Sequence, residues 1–327
     1  MAEKTYAMAL RETIASEMRR EPDMIIIGED VGSQGGIYGV TKGFSAEFGA
    51  DRVINAPISE SAHIGIGLGA ACCGIPMMIE LQYWDFALVA ADQLINQVAK
   101  TRFVFGIESK IPLVIRSQEG TGRGNGATHS QSVETMLMHF PGLKVVCPSS
   151  ANDAAGLLRT AMRDPDPVCF FEHKLLYHNN KEDVNEDPDF MIPFGQARIL
   201  REGTDCTVVA TMLYVHRALE AADILAQEGI SVEVVDPRTL VPFDYDTVVE
   251  SVKKTGRLVI AHEAHKTAGW GAEVAAQVTE RAFDYLAAPP LRLGALACPI
   301  PFNPFLEKTV LPSVQQIVEA VREQMKR

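Results

Sequence analysis

The run Ala56-Pro-Ile-Ser-Glu-Ser-Ala-His-Ile-Gly-Ile-Gly-Leu-Gly-Ala-Ala-Cys-Cys73 decides how the rest of the chain is read. From position 62 to 73 nearly every residue is small or apolar. A helix of that composition buries most of its surface, and its glycines let another backbone approach closely. Glu60 stands at its start, between Ser59 and Ser61. Two readings of that acid compete. In the plainer one, Ser59 caps the helix and Glu60 favours its positive end. In the other, a carboxyl group sits at the mouth of an apolar helix, where loss of water favours the protonated form and suits it to proton transfer.

Outward from this run, short apolar stretches alternate with helical ones. Strands are expected at 24–28, 77–81, 113–116, 144–147 and 168–172, then at 207–211, 231–236, 258–262 and 291–293. Most are continuous apolar runs, as strands buried on both faces should be. Helices are expected at 91–105, 151–162, 216–228 and 272–286. Such alternation predicts an α/β fold with parallel sheets. Residues 177–193 break the pattern: they are polar and acidic and hold two prolines. The expected organisation is a domain over 1–180, a linker over 181–193 and a second domain over 194–327.

Composition narrows the function. With 327 residues, 47% of them apolar and 22% charged, the chain can bury a substantial core. Thirty basic against 42 acidic residues give 30 − 42 = −12, which disfavours nucleic acid and anionic membranes as main partners. No long apolar stretch predicts a membrane span or a signal peptide. Six cysteines lie scattered in apolar surroundings without a C-x-x-C pair, as expected in a reducing compartment, cytoplasmic or organelle-matrix.

Several motifs tempt and fail. The loop Gly120-Thr-Gly-Arg-Gly-Asn-Gly126 follows a strand, but no acidic residue ends a strand about 20 residues later, as a dinucleotide site would need. It reads more simply as a mobile surface loop. Gly65-Ile-Gly-Leu-Gly69 follows Pro57-Ile-Ser-Glu60 and not a strand, and no phosphate-loop motif exists. His262-Glu-Ala-His265 has the wrong spacing for a zinc helix and falls at the end of a strand.

Five segments of the first half, in order, carry a resemblance. They are Gly28-Glu-Asp-Val31, Pro57-Ile-Ser-Glu60, Asp92-Gln-Leu-Ile-Asn96, His129-Ser-Gln131 and Pro141-Gly-Leu-Lys-Val-Val146. The second half adds Asp236-Pro-Arg-Thr-Leu-Val-Pro-Phe-Asp244 and Thr255-Gly-Arg-Leu-Val-Ile-Ala-His-Glu-Ala264. Over essentially its whole length the chain resembles the beta subunit of the thiamine-diphosphate-dependent 2-oxo acid dehydrogenases. That group includes the pyruvate, branched-chain 2-oxo acid and acetoin dehydrogenase components. The resemblance implies a pyrimidine-type thiamine-diphosphate domain followed by a transketolase C-terminal-like domain.

It also implies roles. Glu60 would hydrogen-bond a ring nitrogen of the cofactor's aminopyrimidine and share its proton there. Phe86, in Tyr83-Trp-Asp-Phe86, would pack against the same ring. Glu29 would lie near the cofactor. His129 would stabilise or protonate the reaction intermediate, or meet the incoming lipoyl group. The glycine-rich loop before it would then order around substrate. Some relatives carry a potassium ion; carried over, its ligands would be carbonyls of Leu113, Ala161 and Met162 with Asp164 and Asp166. Asp166 stands where several relatives have asparagine, and Asn55-Ala56 where they more often have Asp-Thr.

Thiamine enzymes hold magnesium and the diphosphate with G-D-G and, about 25–30 residues later, Asn-Asn. Asn179-Asn180 exists, but no G-D-G precedes it. Magnesium and the diphosphate would therefore belong to an alpha subunit in an α2β2 assembly. The second domain would dock a lipoyl-bearing acyltransferase core. The expected reaction is oxidative decarboxylation of a pyruvate-type 2-oxo acid with acyl transfer to lipoamide. The alternatives are an acetoin dehydrogenase, a branched-chain 2-oxo acid dehydrogenase, a split transketolase and a non-catalytic scaffold.

Overall fold

The computed structural model describes all residues except 33, 107, 109, 179 and 180, so Asn179-Asn180 lies outside the described residues. The chain divides into two compact units. One comprises residues 1–119 and 136–194, the other 120–135 and 195–327.

The first unit is built on six parallel strands. In chain order its strands are β1 (Ala2–Lys4), β2 (Ile25–Gly28), β3 (Val53–Asn55), β4 (Met77–Glu80), β5 (Leu113–Glu119), β6 (Lys144–Val146), β7 (Val168–His173) and β8 (Glu182–Val184). The sheet order is β6-β7-β5-β4-β2-β3, and every neighbouring pair runs parallel. Strands β4, β5 and β7 are buried at every residue, which explains the apolar runs Met77–Ile79, Leu113–Ile115 and Val168–Phe171 that open them. The helices are α1 (Tyr6–Arg20), α2 (Phe44–Phe48), α3 (Glu60–Cys72), α4 (Thr101–Phe105), α5 (Glu134–Met138) and α6 (Ala151–Arg163). Helix α1 packs on α6, and α3 packs on β4 and β5. Gly67 permits the latter contact, since a Cβ there would lie 2.5 Å from Ile79 Cδ1.

The chain departs from expectation in three places here. The segment 91–105 is not one α-helix but a π-helical run, Asp92–Val98, followed by α4. The wider turn seats against α3 at Gly65, where a Cβ would lie 3.3 Å from Gln93 Oε1. Helix α3 buries only one face: Glu60, His63, Ile64, Gly67 and Ala71 are covered, while Ala62, Ile66, Gly69 and Cys73 are exposed in this chain. Residues 181–193 belong to the first unit. Strand β8 pairs antiparallel with β1, Ile192 N–H donates to Gly156 O at 3.2 Å, and Arg163 binds Asp189 at 2.9 Å. Ion pairs and backbone bonds order this polar segment, and hydropathy registers neither.

A buried charge cluster braces the sheet. Arg116 on β5 binds Glu172 on β7 through two hydrogen bonds (Nε to Oε1 at 2.6 Å, Nη2 to Oε2 at 2.5 Å). It also pairs with Glu80 at the end of β4, and Tyr177 donates to Glu172. Burial pushes the Glu80 carboxyl up to about 7, against the pull of Arg116.

The second unit has β9 (Arg198–Arg201), β10 (Cys206–Ala210), β11 (Val232–Asp236), β12 (Thr239–Val241), β13 (Leu258–His265) and β14 (Leu291–Ala295). Its sheet runs β14-β13-β10-β11-β9, parallel except for the antiparallel edge strand β9. Its longer helices are α7 (Leu213–Ala226), α8 (Tyr245–Thr255) and α9 (Trp270–Ala282). A short α10 (Pro304–Val310) and a longer α11 (Val314–Met325) follow. Helices α7 and α11 pack together on the sheet, as do α8 and α9. The helix expected over 272–286 ends at Ala282 and continues as a 3-10 turn over Phe283–Tyr285. Among the described residues no helix is long and apolar enough to cross a membrane.

Candidate active site

In an open parallel sheet, ligands bind beyond the carboxyl ends of the strands, where the strand order reverses. In the first unit that point lies at β2, because the chain steps from β2 to β3 on one side and then to β4 on the other. Glu29 follows β2 directly, Glu60 follows β3 after a four-residue approach, and Phe86 lies in the 3-10 turn Trp84–Leu88 after β4. Three residues singled out from sequence thus come from the ends of three neighbouring strands. Two polar ties fix the approach to Glu60. Asn55 Oδ1 accepts from Gly32 N–H at 2.7 Å, and the Ser61 hydroxyl donates to Val89 O at 3.0 Å, joining the start of α3 to the Phe86 segment.

Glu60 is the first residue of α3 and is 6% exposed. Among the described residues its carboxyl accepts no hydrogen bond. Ser59 occupies the N-cap position but its side chain makes no capping bond, contrary to the plainer sequence reading. Glu29 is 7% exposed. Its carboxyl is raised above the usual range by burial first, then by the charge of Glu60. Phe86 is half-buried and meets the Tyr83 ring edge-on, with centroids 6.0 Å apart. A buried carboxyl lacking a donor, with a second acid and a half-open aromatic ring at the ends of the neighbouring strands, fits a flat heterocycle offering a ring nitrogen and a π-face. Sequence reasoning passed over His63, which is 1% exposed and one helical turn after Glu60. A histidine in an apolar helix reads as ordinary core.

His129 lies in the segment 120–135 of the second unit, where it is half-buried and its Nδ1 meets Thr128 Oγ1 at 2.9 Å. The glycine-rich loop before it is anchored and does not stand free. Thr121 N–H donates to Glu263 at 2.5 Å, and Gly122 N–H donates to Glu307 at 2.9 Å. Two carboxylates already use these amides, so the loop does not present them as an anion cradle.

Leu113, Ala161, Met162, Asp164 and Asp166 do not fit a potassium site. The Lys144 ammonium lies 2.5 Å from Asp164 and 3.2 Å from Asp166, and Arg102 binds Asp166 at 2.9 Å. Both carboxylates are already neutralised by side-chain cations. Among the described residues no group of three His, Cys, Asp or Glu side chains could hold a metal.

Residues 2–180 match the transketolase pyrimidine binding domain and residues 195–317 the transketolase C-terminal domain. A split-gene transketolase, described as an inactive beta4 tetramer, shares the fold with TM-score 0.80 at 23% identity, over 99% of both chains. Closer in sequence is the beta subunit of acetoin:2,6-dichlorophenolindophenol oxidoreductase from Cupriavidus necator, 45% identical over 100% of this chain and 99% of that protein. Pyruvate dehydrogenase E1 component beta subunits follow, from Rhizobium meliloti (44%, 98% of this chain, 70% of that one) and Rickettsia felis (43%, 97% of each). The chain belongs to the family of beta subunits of the thiamine-diphosphate-dependent 2-oxo acid and acetoin dehydrogenases.

Proposed function

We propose that this chain supplies the pyrimidine side of a cytoplasmic thiamine-diphosphate enzyme that decarboxylates a pyruvate-type 2-oxo acid and passes the acyl unit to lipoamide. The observation that carries the reading is the buried, unpartnered carboxyl of Glu60 at the carboxyl end of the sheet. When bound, the cofactor supplies the carbanion-stabilising centre that no amino-acid side chain offers. Glu60 holds a proton at the ring nitrogen and returns it, with the dry surroundings strengthening that hydrogen bond. Phe86 presents a ring face that fixes the plane of the heterocycle. Glu29 adds negative charge beside Glu60 and so raises the demand for a shared proton. His129 donates or accepts a proton at the substrate oxygen. An acetoin-cleaving variant of the same chemistry is the second reading, favoured by the 45% identity to the Cupriavidus necator protein.

The diphosphate and magnesium are assigned to an alpha subunit in an α2β2 assembly, because the chain carries no G-D-G ahead of its Asn-Asn pair. The exposed face of α3, with Ala62, Ile66 and Gly69, suits a close contact with another chain. The lone chain is expected to bind thiamine diphosphate and magnesium at least about 100-fold more weakly than the reconstituted α/β pair, by calorimetry. Tight binding by the lone chain sinks the half-site reading. Assaying the pair with pyruvate, acetoin and branched 2-oxo acids identifies the substrate, and lipoamide-linked turnover of pyruvate is the expected result. Docking to the acyltransferase core is expected to weaken as salt rises, since a chain of charge −12 steers toward a basic module. Salt-insensitive association would count against that docking mode.

A further inference from the structure

We propose that His63 is a positioning residue that holds the approach to Glu60. The inference rests on the reading of Glu60 given above. Its geometric basis is a single ring with two unlike nitrogens. Nε2 lies 2.7 Å from Pro57 O, and a carbonyl only accepts, so Nε2 carries the proton. That bond ties α3 back to the turn at 57–59, which Ser59 leaves uncapped. His63 thereby holds the backbone immediately before Glu60. The other nitrogen, Nδ1, is buried and has no hydrogen-bond partner among the described residues. With Nε2 bearing the proton of the neutral ring, Nδ1 is a naked lone pair in a dry site, where an unmade hydrogen bond is expensive.

Elements packed against α3 carry six charged groups: Glu29 and Asp30 after β2, Glu80 on β4, Arg116 and Glu119 on β5, and Asp92 on the π-helical run. Glu80 and Arg116 pair with one another, and Asp92 accepts from Asn96 at 2.8 Å. A charge on His63 favours the ionised form of Glu29, while Glu60 and Asp30 oppose it.

The test uses the reconstituted α/β enzyme. His63→Gln keeps a donor where Nε2 stood, and His63→Phe removes it. For His63→Gln, affinity for thiamine diphosphate near neutral pH should stay within about twofold of wild type. Its kcat should also stay within about twofold of wild type, because the glutamine amide still donates toward Pro57 O. His63→Phe should weaken cofactor binding by about tenfold, the loss of one buried hydrogen bond. A His63→Gln enzyme that binds cofactor as weakly as His63→Phe overturns positioning through the ring N–H. Wild-type affinity in His63→Phe overturns positioning. If the pair binds no thiamine diphosphate at all, or Glu60→Gln retains full turnover, the underlying reading fails instead.

Discussion

Glu60→Gln in the assembled enzyme is expected to reduce turnover by about 100- to 10,000-fold, the usual range for losing a positioned proton-transfer group. Glutamine keeps the size of the side chain and offers a donor and an acceptor, but it cannot release a proton. Glu60 is the first helical residue of α3, and among the described residues no hydrogen bond or ion pair uses its carboxyl. Folding and assembly should therefore survive, and circular dichroism with size-exclusion chromatography should match wild type. Cofactor affinity should fall far less than kcat, since the diphosphate contacts lie elsewhere. A variant that retains more than about a tenth of wild-type kcat would remove Glu60 from the chemistry.

Arg116→Met should have the largest effect on stability. The substitution leaves Glu172 and Glu80 buried without their cation, a lesion that costs about 3–5 kcal/mol. Denaturant unfolding of the full chain measures it. The double variant Arg116→Met, Glu172→Gln should recover part of the loss, because the remaining Glu80 can hold its proton. Glu80→Gln supplies the sign of the pH dependence. The folded-state Glu80 titrates at about 7, above its unbound value of 4.5, so the folded chain binds the extra proton between those limits. That contribution is complete below the lower value and is lost as pH rises through the upper one. The glutamine variant, permanently neutral, should gain on wild type as pH rises from about 5 to about 8. A pH-independent difference would show that Glu80 stays ionised throughout.

Much of the architecture was legible because parallel strands buried on both faces leave unbroken apolar runs. Ile25-Ile-Ile, Leu113-Val-Ile and Val168-Cys-Phe-Phe are examples. What escaped notice is held by polar contacts between distant residues. The β1–β8 pair joins Ala2 to Val184, and neither strand has a hydrophobic signature. The glycine loop read as mobile because its anchors, Glu263 and Glu307, lie 142 and 185 residues away. At the site, Glu29, Glu60 and Phe86 were found through resemblance, since spacing alone would have left Glu60 a helix-start acid. The π-helical run at Asp92–Val98 has no signal in hydropathy, and the role of His63 depends on which atoms its two nitrogens meet.

Gly67 gives protein engineers a mechanical adjustment. Its missing side chain lets the acid-bearing helix rest directly on Ile79. Adding one methyl group there, with or without trimming Ile79 to valine, would lift the helix by a fraction of an ångström while leaving every reacting group chemically unchanged. Because catalysis loses roughly 100-fold for a misplacement of about 1 Å, a small library at positions 67 and 79 would trace how steeply rate falls with distance in this scaffold.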